Sequence, residues 1–310
     1  MKNFTKAISI FSLNLLVILC LLDFGISKFI QTKSLYYGET EVWNDIVESK
    51  IDAEIAIYGS SRAWVHLNPA IFEEKLNKKT YNFGIDGHNF WLQYLRHKQY
   101  FKYNTKPKLI ILSLDNFTLA KRKNLYNLKQ FLPYMLWNND FYEYTKSYEG
   151  FNLLDYYIPF MRYIGNFNLY ELFNASSTKI RYNGFRGSDS EWDIDLSKIK
   201  AQKSNFETEL DITSILLFNQ FIKEIKEEDI DLIFVYSPEY IEGQVLVKNR
   251  NEIFSIYEEI SNKHKIPFFN YSNDPISFDK SLFYNSQHLN KKGANKFTEE
   301  FIKDLQISFY

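Results

Sequence analysis

AEIAIYGSSR, residues 53–62, announces a strand running into a turn that presents two hydroxyls. From Ile55 to Tyr58 the run is apolar without polar alternation, the pattern of a strand covered on both faces. Gly59 stops it, and Ser60 and Ser61 follow where a hydroxyl can cap a helix start. Four further runs read alike: TYNF at 80–83, KLIILSL at 108–114, DLIFVY at 231–236 and IPFFNY at 266–271. Apolar residues at helical spacing fill the intervals, at about Pro69 to Leu76, Phe90 to Tyr103, Ile215 to Glu228, Asn251 to Lys263 and Lys291 to Leu305. Strands and helices in alternation predict an α/β fold, a three-layer α/β/α sandwich around a five-stranded parallel sheet. The expected type is flavodoxin-like with right-handed crossovers. The order of the strands is left open by this pattern.

This domain is expected over residues 51–310, interrupted at 118–210 by an insertion rich in Tyr, Phe, Trp and Asn that shows no strand alternation. Excursions of that length are functional or separately packed, and the aromatic content is that of a packed segment. Irregular helices with a small core of their own are the expectation, ahead of a sugar-binding platform. The chain has 310 residues, 45% of them hydrophobic and 18% aromatic, which suffices for a substantial core. Lys plus Arg number 37 against 38 Asp plus Glu, so the formal charge of -1 implies no general attraction to nucleic acid.

Lys2 and Lys6 precede an apolar stretch from Ala7 to Leu22, which reaches Ile26 if Asp23 is tolerated by contact with headgroups or Lys28. About 20 such residues are needed to cross a bilayer. Residues 1–30 are therefore expected as a membrane anchor, followed by a connector at 31–50. The rival is a signal peptide cleaved near Lys28, since Gly25-Ile26-Ser27 offers small residues at alternate positions, although the apolar region is long for one. The leading lysines favour a cytoplasmic N-terminus and an extracytoplasmic domain, against which Lys28 and Lys33 weigh. Either way the partner of the N-terminus is the membrane. The one cysteine, Cys20, excludes a disulfide framework and a cysteine metal site. Leu19 before it is too large for a lipoprotein processing signal.

Four segments lie past the C-terminal ends of strands or ahead of the last helix, where open α/β sheets bind ligands. They are YGSSR (58–62), NFGIDGH (82–88), SLDN (113–116) and NSQHLN (285–290). Singly, each has an ordinary explanation as a cap or turn. Jointly they place a nucleophile, backbone and amide donors and a late histidine at one sheet edge, the set that acyl transfer needs.

In these residues the sequence resembles the SGNH, or GDSL, hydrolase superfamily. The family's Gly-Asp-Ser is matched by Gly59-Ser60-Ser61 in a GSSR variant, its second-block glycine by Gly87, its third-block asparagine loosely by Asn116, and its Asp-x-x-His by Asn285 and His288. The resemblance covers about Ile55 to Phe301 apart from the insertion. It implies Ser61 as nucleophile, His288 as its base, and an oxyanion site made by the Ser61 and Gly87 amides with the Asn116 side chain. No cofactor is implied. The departures are the missing glycine before Asp115-Asn116 and, above all, Asn285 in place of the acid. An amide carries no charge to stabilise an imidazolium, yet its oxygen can accept the ring proton and fix the tautomer, and Asp279 is a candidate carboxylate to substitute.

His66, His88, His97 and His264 have no partners at ligand spacing and read as surface or core residues, so no metal site is expected. The function expected from the resemblance is a serine esterase or O-acyltransferase acting on acyl, including acetyl, esters of cell-envelope carbohydrate, or another small ester. The alternative is a catalytically silent protein of the same fold that binds glycan or a partner. A cytoplasmic nucleotide-binding flavodoxin-like protein would share the fold class, but the chain has no GxGxxG or GxxxxGK loop.

Overall fold

A computed structural model describes residues 1–166, 169–192 and 206–309. All five expected strands form: β1 (Ile55–Tyr58), β2 (Thr80–Asn82), β3 (Leu109–Ser113), β4 (Asp231–Tyr236) and β5 (Phe268–Asn270). They pair in parallel in the order β2-β1-β3-β4-β5. The order reverses at β1 and β3, so the loops that follow these two strands leave a crevice between them.

Register explains the apolar runs. Ile57, Ile111 and Ile233 align across β1, β3 and β4, as do Tyr58, Leu112 and Phe234 one residue on. Successive side chains point to opposite faces, so both faces must be covered by helices. The isoleucine face packs under the helices Pro69–Leu76 and Lys291–Phe309 through Phe72, Phe297 and Phe301. The other face meets the helices Phe90–Tyr103 and Ile212–Glu227, where the Tyr58 ring lies 6.1 Å from that of Phe221 and Phe234 5.6 Å from Phe218. Each such aliphatic or aromatic side chain contributes about 1.5–3 kcal/mol when fully buried. The three-layer expectation is thus met.

Contacts divide the chain into two units, residues 45–121 with 181–310, which hold the sheet, and residues 1–44 with 122–180. In the second of these, Lys2–Gln31 is one helix of 30 residues, with a window of mean hydropathy 2.3, long and apolar enough to cross a membrane. A signal sequence has the same character. Within the stretch expected as a connector, Glu39–Val47 is a helix. Its Trp43 is the centre of an aromatic core, 5.3 Å from Phe141 and 5.8 Å from Phe131 between ring centroids, with its indole N–H on Gln130. Phe131 and Phe141, from the span expected as an insertion, thus share a small core with Trp43. The partner of Asp23 is Arg162 and not Lys28: its carboxylate is buried against that guanidinium.

Candidate active site

Gly59 adopts φ +147°, and a Cβ there would lie 2.7 Å from the Ala63 Cβ and 2.9 Å from Ser113. Only glycine lets β1 turn this sharply into the short helix Ser61–His66. Fully buried Ser60 is the N-cap of that helix: its Oγ accepts from the Arg62 N–H at 3.2 Å and donates to the Asp115 carboxylate. With Ser60 so occupied, the hydroxyl left for chemistry is that of Ser61, whose Oγ lies 2.8 Å from His288 Nε2.

Asn285 fixes the state of that histidine. Its Oδ1 accepts from the backbone N–H groups of Gln287 and His288, both at 2.9 Å, and lies 3.0 Å from His288 Nδ1. A backbone N–H can only donate, so the amide oxygen, not its nitrogen, faces the ring. Nδ1 must then carry the proton, and Nε2 is left to accept from the Ser61 hydroxyl. Burial, reinforced by the Arg62 charge, pushes the His288 imidazole down to about 3. The ring is neutral at physiological pH, as a base must be, but its protonated form is poorly supported. Tyr284 stacks on the ring at 5.4 Å and 10°, and its phenol is raised by burial and by Asp86 of the loop after β2. Asp279 is not the substitute acid: it is exposed and its carboxylate caps the turn at Ser281.

The two remaining site candidates sit in the neighbouring loops. Gly87 takes φ +70° in the turn from Ile85 to His88, which is tied to β1 by the Ile85 N–H on the Gly59 carbonyl. Gly84 in the same loop is a point of close approach, since a Cβ there would lie 2.5 Å from the Trp64 nitrogen. Asn116, 8% exposed, directs its Oδ1 to Arg250 Nη1 at 3.3 Å, which leaves its Nδ2 as the end able to donate elsewhere. The direct bonds thus chain Ser61, His288 and Asn285, while Gly87 and Asn116 are placed by turns and anchors of their own.

Beneath them lies a buried charge network whose members carry no common motif in the sequence. Arg62 pairs with Asp115 at 3.0 Å and Glu239 at 3.2 Å, donates to the Ser237 carbonyl, and stacks 4.5 Å over the Tyr236 ring. Glu239 also pairs with Arg250. Two cations and two carboxylates balance, and a buried pair of this kind is costly to break. His66, one of the histidines read as surface or core residues, lies in the core. Fully buried, it accepts the Leu289 N–H on Nε2 at 2.9 Å and so donates through Nδ1 to Ser237 Oγ at 2.7 Å. It clamps the residue after His288 onto the helix that begins with Ser61. Burial first, then Arg62, lower its pKa. Asn82 holds the same helix from β2, donating to the carbonyls of Ala63 and Leu67. The only sequence signal for His66 was its place five residues after Ser61. Among the described residues no group of three or more His, Cys, Asp and Glu side chains is placed to hold a metal ion.

No family model matches the chain, and no curated protein matches it. Among solved structures it is similar to a GDSL-like lipase from Bacteroides thetaiotaomicron, at 13% identity and TM-score 0.39 over 85% of this chain and 96% of that one. It is also similar to a protein from Desulfitobacterium hafniense assigned to the lipolytic G-D-S-L family, at 11% identity and TM-score 0.40 over 80% and 97%. At these identities and scores they are likenesses and nothing more, and the chemistry of this chain rests on its own residues.

Proposed function

We propose that the chain is a membrane-anchored serine hydrolase of the SGNH type, with residues 1–30 as the anchor and the hydrolase domain in 51–310 facing away from the cytoplasm. The observation that carries this reading is the bonded series Ser61, His288, Asn285, with the histidine in the one tautomer that can take the serine proton. Ser61 Oγ attacks an ester carbonyl while His288 Nε2 takes its proton. The tetrahedral adduct then expels the alcohol, which leaves with that proton, and an acyl-serine remains. Water or an acceptor hydroxyl, deprotonated by His288, releases the acyl group, so hydrolysis and O-acyl transfer use one machinery. The Ser61 and Gly87 amides and the freed Asn116 Nδ2 are assigned to the oxyanion, each such donor being worth about 3–4 kcal/mol in the transition state.

The substrate class assigned is acyl, including acetyl, esters of cell-envelope carbohydrate, because an anchored and exported domain would meet them and the resemblance points to esters. A specific observation favours a second reading, a silent glycan- or partner-binding protein: Asn285 cannot neutralise an imidazolium. Full-length protein in detergent micelles with p-nitrophenyl acetate separates the two. Turnover lost in Ser61→Ala and in His288→Ala supports the hydrolase. Turnover no greater than that of Ser61→Ala, together with retained binding of acylated glycan, supports the silent protein.

A further inference from the structure

The short helix Leu153–Tyr157 is patterned inside out. Its polar Asp155 and its Tyr156 are buried, Asp155 closing a capping box with Asn152 and Tyr156 bonding Thr145 at 2.7 Å. Its apolar Leu153 and Leu154 are instead 58% and 50% exposed, and Tyr157, Ile158 and Ile164 are exposed as well. Trp137, 61% exposed, is bonded to this segment through its backbone N–H on the Tyr156 carbonyl and its indole N–H on the Tyr157 carbonyl, both at 2.9 Å. Water is a poor neighbour for such a surface, and contiguous exposed apolar patches mark interaction sites.

The N-terminal helix says what the neighbour is. Arg162 donates from Nη1 and Nη2 to both oxygens of Asp23, at 2.5 and 2.7 Å, and the Phe160 N–H adds a third bond to that carboxylate at 2.6 Å. Ser27 and Tyr163 meet at 2.6 Å one turn further on. The segment with the exposed apolar residues is thereby clasped to the last turns of the apolar helix, on which Leu21 and Phe24 are themselves exposed. Asp23 lies within one turn of Ile26, where the roughly 20 residues that cross a bilayer, counted from Ala7, run out. That is the level of the headgroups, where Trp and Tyr partition with an apolar body and a polar tip.

We infer that residues 153–164 with Trp137 form a second membrane-contacting surface, seated in the lipid interface beside the anchor and fixed to it by the Asp23–Arg162 clasp. This rests on the reading of residues 1–30 as a spanning anchor. The bilayer would then hold the unit by two contacts, where a single helix would leave it free to swivel.

The test is nitroxide depth measurement on full-length protein in phosphatidylcholine–phosphatidylglycerol vesicles. Spin labels are placed one at a time by Leu154→Cys, Ile158→Cys, Leu16→Cys and Lys223→Cys in a Cys20→Ser background. At positions 154 and 158, as at 16, the label should be more accessible to oxygen than to a water-soluble nickel chelate, with the reverse at 223. Two label positions in the surface guard against one substitution disturbing it. Labels at 154 and 158 that behave like 223, while 16 is in lipid, overturn the inference and leave the anchor standing. A label at 16 that also behaves like 223 removes the anchor and the inference with it. Labels at 154 and 158 shielded from both reagents place a second copy or another protein there and also overturn it.

Discussion

Replacing Asn285 by Asp puts a charge where the amide supplies only geometry. The amide oxygen already lies 3.0 Å from His288 Nδ1, so the carboxylate needs no rearrangement to occupy its place. At about 4 Å between charge centres, a carboxylate and an imidazolium attract by about 4 kcal/mol at an effective dielectric of 20. The new charge's own desolvation offsets part of this, and an opposite charge at such range raises a histidine pKa by about one to three. His288 would rise from about 3 toward the ordinary histidine range and still be largely unprotonated at pH 7. At about 1.4 kcal/mol per tenfold, the same stabilisation of the imidazolium in the transition state should raise kcat/KM by about 10- to 10³-fold. The ceiling lies below the roughly 10⁴ known for an acid-to-amide change in a serine protease triad, because part of that loss is a wrong tautomer, which the backbone donors to Asn285 prevent here. The assay is p-nitrophenyl acetate turnover against pH, paired with an NMR titration of the His288 ring, and Ser61→Ala must abolish turnover in both backgrounds. An unchanged titration with unchanged kcat/KM would show that residue 285 does not act on the His288 ring, since a charge in contact with it cannot be silent.

Arg62→Leu should destabilise the fold by roughly 3–5 kcal/mol, because it leaves Asp115 and Glu239 buried with a missing counter-charge. Urea denaturation measures it, and adding Asp115→Asn should recover part of the loss. Stability should fall as pH drops from about 6.5 toward 3. His97 and His288 are both held down to about 3 by burial, so in this window the unfolded chain binds more protons than the folded one. Each such group gives a slope of up to about 1.4 kcal/mol per pH unit, less for the partly exposed His288. The Asp115 carboxyl, raised by burial, opposes the trend, so the histidine contribution is read as the difference in urea midpoint between pH 7 and 4.5, which should shrink in His97→Phe.

The sheet was legible in the sequence because buried parallel strands have to be written as continuous apolar runs, and IAIY, LIILS and LIFVY leave no other reading. The series Ser61, Asn285, His288 was legible because two of its members are three residues apart and the third follows a strand-ending glycine. The helix Ser61–His66 was hidden by its length, too short for any period to show. The network of Arg62, Asp115, Glu239 and Arg250 was hidden for a different reason. Its members are scattered over nearly 190 positions and meet only because β1, β3 and β4 end side by side. Asp279 failed as a substitute acid because local hydrogen bonding wins: an Asp two residues before a serine is satisfied by capping its own turn. Asp23 looked anomalous in an apolar helix for want of its partner, Arg162, which lies 139 residues away.

The proposed role of Ser61 as nucleophile is open to active-site phosphonylation. Full-length protein incubated with a fluorophosphonate at pH 7, then digested and mapped by mass spectrometry, should carry one adduct, on the peptide containing Gly59-Ser60-Ser61, fragmenting to Ser61. The adduct should vanish in Ser61→Ala and be strongly slowed in His288→Ala. No adduct on wild-type protein that denatures cooperatively, or an adduct that persists in Ser61→Ala, would show that Ser61 is not the nucleophile.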